Sequence, residues 1–317
     1  MRAARSKSKN CLKLLIPLFA TLAFFSSSVL AEETTKDGGE IRYLQVWGRK
    51  VEYHFLLQWN SMIHDDGEAF RTTWKGRPAN FVVLNRAFFE TDARELFRDL
   101  YRSKGTEKNL LSNAEFLAGL EKRLFSVQGT SPVSRQTLSA LRALQFSLEQ
   151  AAWREDYEES WKGASGYKAA EAKFAARFLQ VRMKTNEYHE VAHLIDLTES
   201  SDNDSDPFNR YTELNAFYTE LAYGENPQDV MVQALSGLLE EIEQGKTLDY
   251  SIEKVATVLR FLKDHSAFVK RLQPPEAFPT PFQMLVSLSR PDWSFTGREL
   301  YKKNAVEPAS QLALFYP

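Results

Sequence analysis

Two histidines and a glutamate form the pattern in this chain with the clearest chemical meaning. His189, Glu190 and His193 stand in the order His-Glu-x-x-His within an apolar stretch that is compatible with a helix. Residues four apart lie on the same face of a helix, so both imidazoles can point at one metal ion. Glu190 is rotated from His189 by about 100°, so its carboxylate can face a water on that ion without binding the ion. Two nitrogen ligands, a polarised water and a base are what a zinc hydrolase requires.

The motif resembles the His-Glu-x-x-His signature shared by the zincin metallopeptidases. The extended metzincin form is absent, because Asp196 and Glu199 stand where its glycine and its third histidine would be. The gluzincin form instead takes its third ligand from a glutamate on a following helix. Nineteen residues separate Glu213 from His193, and this spacing is typical of the gluzincins. The resemblance covers residues 186–222 and indicates no subfamily.

Two further carboxylates lie at helical spacing from these residues. Glu220 follows Glu213 by seven residues, which places it on the same helix face about 10 Å along the axis. Only one of the two can bind the same ion; the spacing favours Glu213 and leaves Glu220 as the alternative ligand or as a nearby acceptor. Asp196 shares the face of His189 and His193, and it could orient an imidazole. The alternative for these carboxylates is an ordinary polar environment with no role at the metal.

The resemblance implies one Zn²⁺ ion held by His189, His193 and Glu213, with Glu190 as the general base of peptide-bond hydrolysis. The implied partner is a peptide or protein substrate. Thiol catalysis is excluded, because the single cysteine, Cys11, lies in a segment that we expect to be removed. The sequence does not identify a group that stabilises the oxyanion.

Alternating carboxylates follow the motif in a polar loop that contains Asp202, Asp204 and Asp206. Such a pattern can bind Ca²⁺, but the glycine and the closing glutamate of an EF-hand loop are absent. A solvated loop between the two ligand-bearing helices is therefore the preferred interpretation, and Ca²⁺ is the less favoured alternative.

The N-terminal residues have the features of a secretory signal peptide. Five basic residues precede an apolar run at residues 14–25. Small residues stand at positions −3 and −1 relative to a cleavage site before Glu32. We expect cleavage after Ala31 and export to a bacterial periplasm or the exterior, with an uncleaved N-terminal anchor as the alternative. Loss of the five charges changes the formal net charge from −2 to −7, which argues against nucleic acid as a partner. After cleavage we expect no stable membrane insertion.

Hydrophobic periodicity predicts a short strand-rich region followed by helices. β-Branched and aromatic runs predict strands at residues 43–47, 51–57 and 81–84. Apolar residues at helical spacing predict helices at residues 92–101, 114–125, 134–161, 167–183, 186–198, 210–222, 228–244 and 251–264. Residues 178–183 could instead form a strand, and Asn186 could cap the motif helix.

These elements predict an α+β fold that is predominantly helical. We expect a zincin-like catalytic domain with a small N-terminal sheet and an active-site helix that carries the motif. The chain divides into a signal peptide (1–31), a polar leader (32–40), the catalytic domain (41–272) and a proline-rich linker with a C-terminal tail packed on the domain (273–317).

The expected function is that of an exported zinc metallopeptidase. One alternative keeps the metal site but hydrolyses the amide bonds of cell-wall peptides. The other alternative is a helical periplasmic binding protein without catalytic activity, in which the His-Glu-x-x-His run is accidental or degenerate. Metal content separates this second alternative from both enzymes.

Overall fold

The computed structural model describes residues 39–58, 66–103, 119, 134–199, 206–244, 250–264, 285 and 288–306. Several sequence predictions fall outside these residues. They are the signal peptide, most of the leader, the helix at residues 114–125, the carboxylates of Asp202 and Asp204, and the proline-rich linker.

Four strands form a single sheet near the N-terminus. They are β1 (Glu40–Val46), β2 (Arg49–Gln58), β3 (Gly67–Trp74) and β4 (Arg77–Asn85), in the order β1-β2-β4-β3. β1 runs antiparallel to β2, β2 runs parallel to β4, and β3 runs antiparallel to β4. The three predicted strands are confirmed, whereas β3 was not predicted.

The position of β3 explains why its sequence carried little signal. β4 lies inside the sheet, and its consecutive residues 81–85 are all buried, as expected for a strand covered on both faces. β3 contains no fully buried residue, and it pairs only with β4 among the described strands. A strand with little apolar burial lacks the alternation from which strands are recognised.

Seven helices contain most of the remaining described residues. They are α1 (Arg86–Arg102), α2 (Arg135–Trp161), α3 (Tyr167–Glu199), α4 (Asp206–Tyr223), α5 (Pro227–Gln244), α6 (Tyr250–Asp264) and α7 (Arg290–Val306). The predominantly helical α+β class is therefore confirmed. None of the described helices is both long enough and apolar enough to cross a membrane.

The motif helix α3 corrects one prediction. We expected two elements that meet near Asn186, but α3 is a single helix of 33 residues, so Asn186 is not a cap and residues 178–183 are not a strand. The N-terminal half of α3 packs through Phe174 and Phe178 against aromatic residues of α1 and α2. The C-terminal half packs through residues 191–195 against the sheet. The apolar face of α3 therefore points in a different direction in each half of the helix. In the sequence, this change in the apolar pattern looks like the end of one helix and the start of another.

The C-terminal helix α7 is a second correction, because the sequence pattern predicts only a mixed tail there. α7 approaches α4 closely at Gly297. A Cβ atom at this position would lie 2.6 Å from the Ala222 nitrogen and 2.7 Å from the Tyr218 oxygen. On the same side, the rings of Trp47 and Tyr301 stack with their centroids 3.8 Å apart. α7 thus helps to fix α4, which carries the predicted third ligand.

Candidate metal centre

The two motif imidazoles and one carboxylate of α4 meet in a cleft. His193 Nε2 lies 3.4 Å from Glu213 Oε1, and His189 Nε2 lies 3.9 Å from Glu213 Oε2. One ligand atom from each of the three residues lies within 4.8 Å of the others. The tertiary structure therefore brings together the three residues that the sequence predicts as ligands.

The spacing of these atoms suits a zinc ion. Zinc takes nitrogen and carboxylate oxygen ligands at about 2.0–2.2 Å in tetrahedral geometry, so ligand atoms lie roughly 3.3 Å apart. The distances of 3.4 and 3.9 Å approach that value before any adjustment of rotamers. His189, His193 and Glu213 would hold the ion and leave a fourth position facing the cleft.

Glu220 contacts the opposite side of the same imidazole. Its Oε2 atom lies 3.3 Å from His189 Nδ1, whereas the Nε2 atom of that ring faces Glu213. Nδ1 makes no well-aligned hydrogen bond in this arrangement, so the contact is mainly electrostatic. A carboxylate beside the second ring nitrogen is the usual means by which a protein orients a metal-bound histidine. The geometry therefore favours Glu213 as the ligand and Glu220 as the group that orients His189.

Asp196 lies in a buried polar chain behind the ligands. The amide nitrogen Nδ2 of Asn215 donates to both carboxylate oxygens of Asp196, at 3.2 and 3.3 Å. Asn304 Nδ2 in turn donates to Asn215 Oδ1 at 2.9 Å. Asp196 is 4% exposed and Asn215 is 1% exposed, so these hydrogen bonds link α3, α4 and α7 away from solvent. The contacts with Asn215 and Asn304 could not be predicted from local spacing.

Glu190 is a buried carboxylate beside the candidate ligands. Its carboxylate is buried and lines the same cleft as the two imidazoles. The strand β3 begins directly against it, because a Cβ atom on Gly67 would lie only 2.8 Å from Glu190 Oε1. Glycine at this position therefore permits the close approach of β3 to α3.

A second buried glutamate anchors the motif helix to the sheet. Glu187 Oε1 accepts hydrogen bonds from the Tyr53 hydroxyl and from Arg42 Nη1, and its Oε2 atom accepts one from Lys184 Nζ. Burial alone would raise the pKa of Glu187, but the contacts with Lys184, Tyr53 and Arg42 lower it. Glu187 therefore remains ionised and holds α3 against β1 and β2 two residues before the first histidine.

The ligand groups perturb one another strongly in the metal-free chain. Burial would raise the pKa of Glu213, but the hydrogen bond with His193 and the charges of His189 and Lys254 hold it well below the usual range. Burial lowers the pKa of His193. Burial would also lower the pKa of His189, yet Glu220 and Glu213 raise it to about 10. One imidazole is thus neutral and ready to bind a metal, whereas the other must lose a proton first.

Glu190 has an unusual environment as well. Burial raises the pKa of Glu190 to about 8; the charge of His189 opposes this increase, and the charges of Asp66, Glu213 and Glu220 add to it. Strongly perturbed groups that face one cleft are typical of functional sites. The clustering therefore supports a functional interpretation of the motif.

Lys254 of α6 is a charged neighbour that the sequence did not indicate. Its Nζ atom lies 3.2 Å from Glu213 Oε2, and its side chain is 17% exposed. The ammonium group shares Oε2 of the carboxylate with His189, whereas Oε1 faces His193. A lysine on an amphipathic helix sixty residues after the motif carries no distinguishing signal in a single sequence.

The cleft has a volume of about 480 Å³, and residues other than the ligands form most of its lining. Gly67, Glu68 and Ala69 of β3 form one wall. Residues of α5 and α6, including Lys254, form a second wall. Thr185 and Asn186 of α3, which precede the motif, form the floor together with Asp66.

Comparison of the chain with protein-family models, curated proteins and solved structures finds no match. The functional interpretation therefore depends on the geometry of the cleft and on the motif.

Proposed function

We propose that this chain is an exported zinc-dependent hydrolase that cleaves peptide bonds. The observation that carries the proposal is the convergence of His189, His193 and Glu213 beside a buried glutamate, Glu190, in one cleft. This is the donor set of a catalytic zinc site, which has three protein ligands and one open position.

Each residue has a distinct role in the proposed reaction. Zinc, when bound, acts as a Lewis acid that polarises the scissile carbonyl and lowers the pKa of a water. Glu190 accepts the proton of the attacking water and passes it to the leaving amine. In the metal-free chain its pKa is raised to about 8, and a nearby divalent cation shifts the carboxyl back toward the ionised form that a base requires. Glu220 orients His189, and Lys254 holds Glu213.

The wall of the cleft supports a peptide as the substrate. β3 pairs with β4 on one side only among the described strands, and its residues Gly67, Glu68 and Ala69 border the cleft. The outermost strand of a sheet can bind an extended peptide through main-chain hydrogen bonds. A peptide held along β3 would pass directly beside Glu190, because β3 begins against that carboxylate.

Two measurements test the proposal. The purified chain is expected to bind one equivalent of zinc and to cleave unstructured peptides, and removal of the metal with a chelator is expected to abolish cleavage. Glu190→Gln preserves the size of the side chain but removes the base, so zinc content should be unchanged while kcat falls by about 10²–10⁴-fold.

The outcomes of these measurements distinguish an enzyme from a binding protein that has no catalytic activity. Zinc content far below one equivalent would favour the binding protein with an accidental motif. Full activity of Glu190→Gln would show that the role assigned to Glu190 is wrong.

A further inference from the structure

The cleft has an acidic end beside the proposed zinc ligands. Asp66 lies at the start of β3, and its main-chain oxygen accepts a hydrogen bond from the Asn85 nitrogen at 2.9 Å. Its carboxyl group shares the cleft with Glu220 and Glu190. Burial raises the pKa of Asp66 and the charge of Glu220 adds to this increase, whereas the charges of His189 and Arg182 oppose it.

The carboxyl groups at this end of the cleft outnumber the cationic side chains that contact them within the described residues. Asp66 has no ion-pair partner within the described residues, and the ion-pair contact of Glu220 there is with His189. Arg182 is the nearby cation, but it is already shared between Asp92 at 3.5 Å and Asp229 at 3.1 Å. The acidic end therefore has an excess of carboxylates.

Two buried polar side chains on the floor of the same end lack hydrogen-bond partners. Thr185 Oγ1 and Asn186 Nδ2 are both without a partner within the described structure. Thr185 is 5% exposed and Asn186 is 6% exposed, and both line the cleft one turn before His189 on α3. Buried polar groups are almost always hydrogen-bonded. These two groups therefore indicate a partner that enters from the cleft.

We propose that this end of the cleft is a subsite for a cationic nitrogen of the substrate. The nitrogen is either a free α-amino group or the side chain of a basic residue next to the scissile bond. An ammonium group has three donors, which match the carboxylates of Asp66 and Glu220 and the hydroxyl of Thr185. The side-chain amide of Asn186 can accept or donate a hydrogen bond according to its orientation. It can therefore bind the main chain of the substrate next to the cationic nitrogen. This inference rests on the proposed peptidase function.

A set of three matched peptides tests the subsite. The first has an N-terminal lysine, the second is the same peptide with an acetylated N-terminus, and the third carries norleucine in place of lysine. Cleavage by the zinc-loaded chain is followed by mass spectrometry. A charge-assisted contact in a buried site is expected to change kcat/KM by about tenfold or more. Loss with the acetylated peptide identifies the α-amino group as the ligand, and loss with the norleucine peptide identifies the side chain.

Asp66→Asn provides the matching change in the protein. It should lower kcat/KM for the preferred peptide by a similar factor and have little further effect on the peptide that lacks the recognised charge, because the two changes remove the same interaction. Thr185→Val should produce a smaller loss of the same kind. Glu158→Gln, which removes an exposed carboxylate on α2, should leave all three rates unchanged.

The results distinguish the subsite from the peptidase proposal. Equal cleavage of all three peptides by the unaltered chain would overturn the subsite and leave the peptidase function intact. So would an Asp66→Asn protein that retains the full preference for the cation. If the zinc-loaded chain cleaves none of the peptides or other unstructured substrates, the peptidase function itself is wrong, and the subsite fails with it.

Discussion

The approach of β3 to the motif helix provides the sharpest test of how the site is positioned. A Cβ atom on Gly67 would lie 2.8 Å from Glu190 Oε1, 2.8 Å from Leu84 Cδ2 and 3.0 Å from Asn186 Nδ2. Ordinary contacts of a Cβ atom begin at 3.4 Å, so Gly67→Ala must move either the base or the strand by about 0.6 Å. A displacement of 1 Å in an active site can reduce the rate by about 10²-fold. We therefore expect kcat to fall by roughly tenfold to twentyfold.

The expected fall in kcat comes from the displacement of Glu190 and not from a loss of zinc. The three atoms nearest to the added Cβ belong to Glu190, Leu84 and Asn186 and not to the residues that we assign to zinc, so zinc content should remain one equivalent. Overpacking of this kind also costs about 1–3 kcal/mol of stability, which a thermal melt would detect. The assay is kcat on a peptide substrate, measured with zinc content and Tm for the same preparation.

A second substitution separates the loss of stability from the loss of activity. Leu84→Val shortens the other side chain that meets the new methyl group, so Gly67→Ala/Leu84→Val should recover part of the stability but not the rate. Leu84→Val alone is the control for the smaller side chain. Normal kcat in Gly67→Ala, with full zinc content, would refute the argument that this glycine sets the position of Glu190.

Further predictions concern the ligands, pH and helix packing. Glu220→Gln should weaken zinc binding by about 10–100-fold, as expected for a group that orients a ligand. Glu213→Gln should weaken it more, and the reverse order in a competition titration would exchange their roles. In the metal-free chain the raised pKa values of His189, about 10, and Glu190, about 8, mean that the folded state holds both protons more tightly than the unfolded state. This stabilisation is complete below the ordinary pKa values and is lost as pH rises through 8 and 10, so the Tm of the metal-free chain should fall between pH 7 and 10. Zinc affinity should rise over the same range, because the proton of His189 must leave; a zinc affinity independent of pH would contradict this. Gly297→Val should separate α7 from α4 and lower Tm, with a cost of about 1–3 kcal/mol, and an unchanged Tm would contradict the close helix contact.

Much of the secondary structure could be predicted because it depends on local signals. The helix predicted at residues 134–161 from its apolar spacing is α2, and the Ser134 hydroxyl caps it by accepting a hydrogen bond from the Thr137 nitrogen. α1 begins earlier than its apolar pattern indicates, because Asn85 at the end of β4 serves as the cap. The missed strand β3 and the missed helix α7 depend on the partners they pack against. Their own sequences lack strong periodicity.

The spacing within the motif by itself determined that His189 and His193 share a helix face and that Glu190 is rotated away from it. This is a local property, since the period of an α-helix is 3.6 residues wherever it occurs. The choice between Glu213 and Glu220 depended on the tertiary structure. Both lie on one face of α4, and only the packing of α4 against α3 decides which carboxylate meets the Nε2 atoms.

The remaining parts of the cleft were decided entirely by tertiary structure. Gly67 and Asp66 lie more than 120 residues before the motif, and Lys254 lies about 60 residues after it. They reach the site because β3 lies at the edge of the sheet against α3 and because α6 packs near α4. Helical periodicity specifies which side chains share a face, but the approach of distant segments depends on burial of the apolar core. The charge and shape around the candidate metal therefore depended on packing between elements.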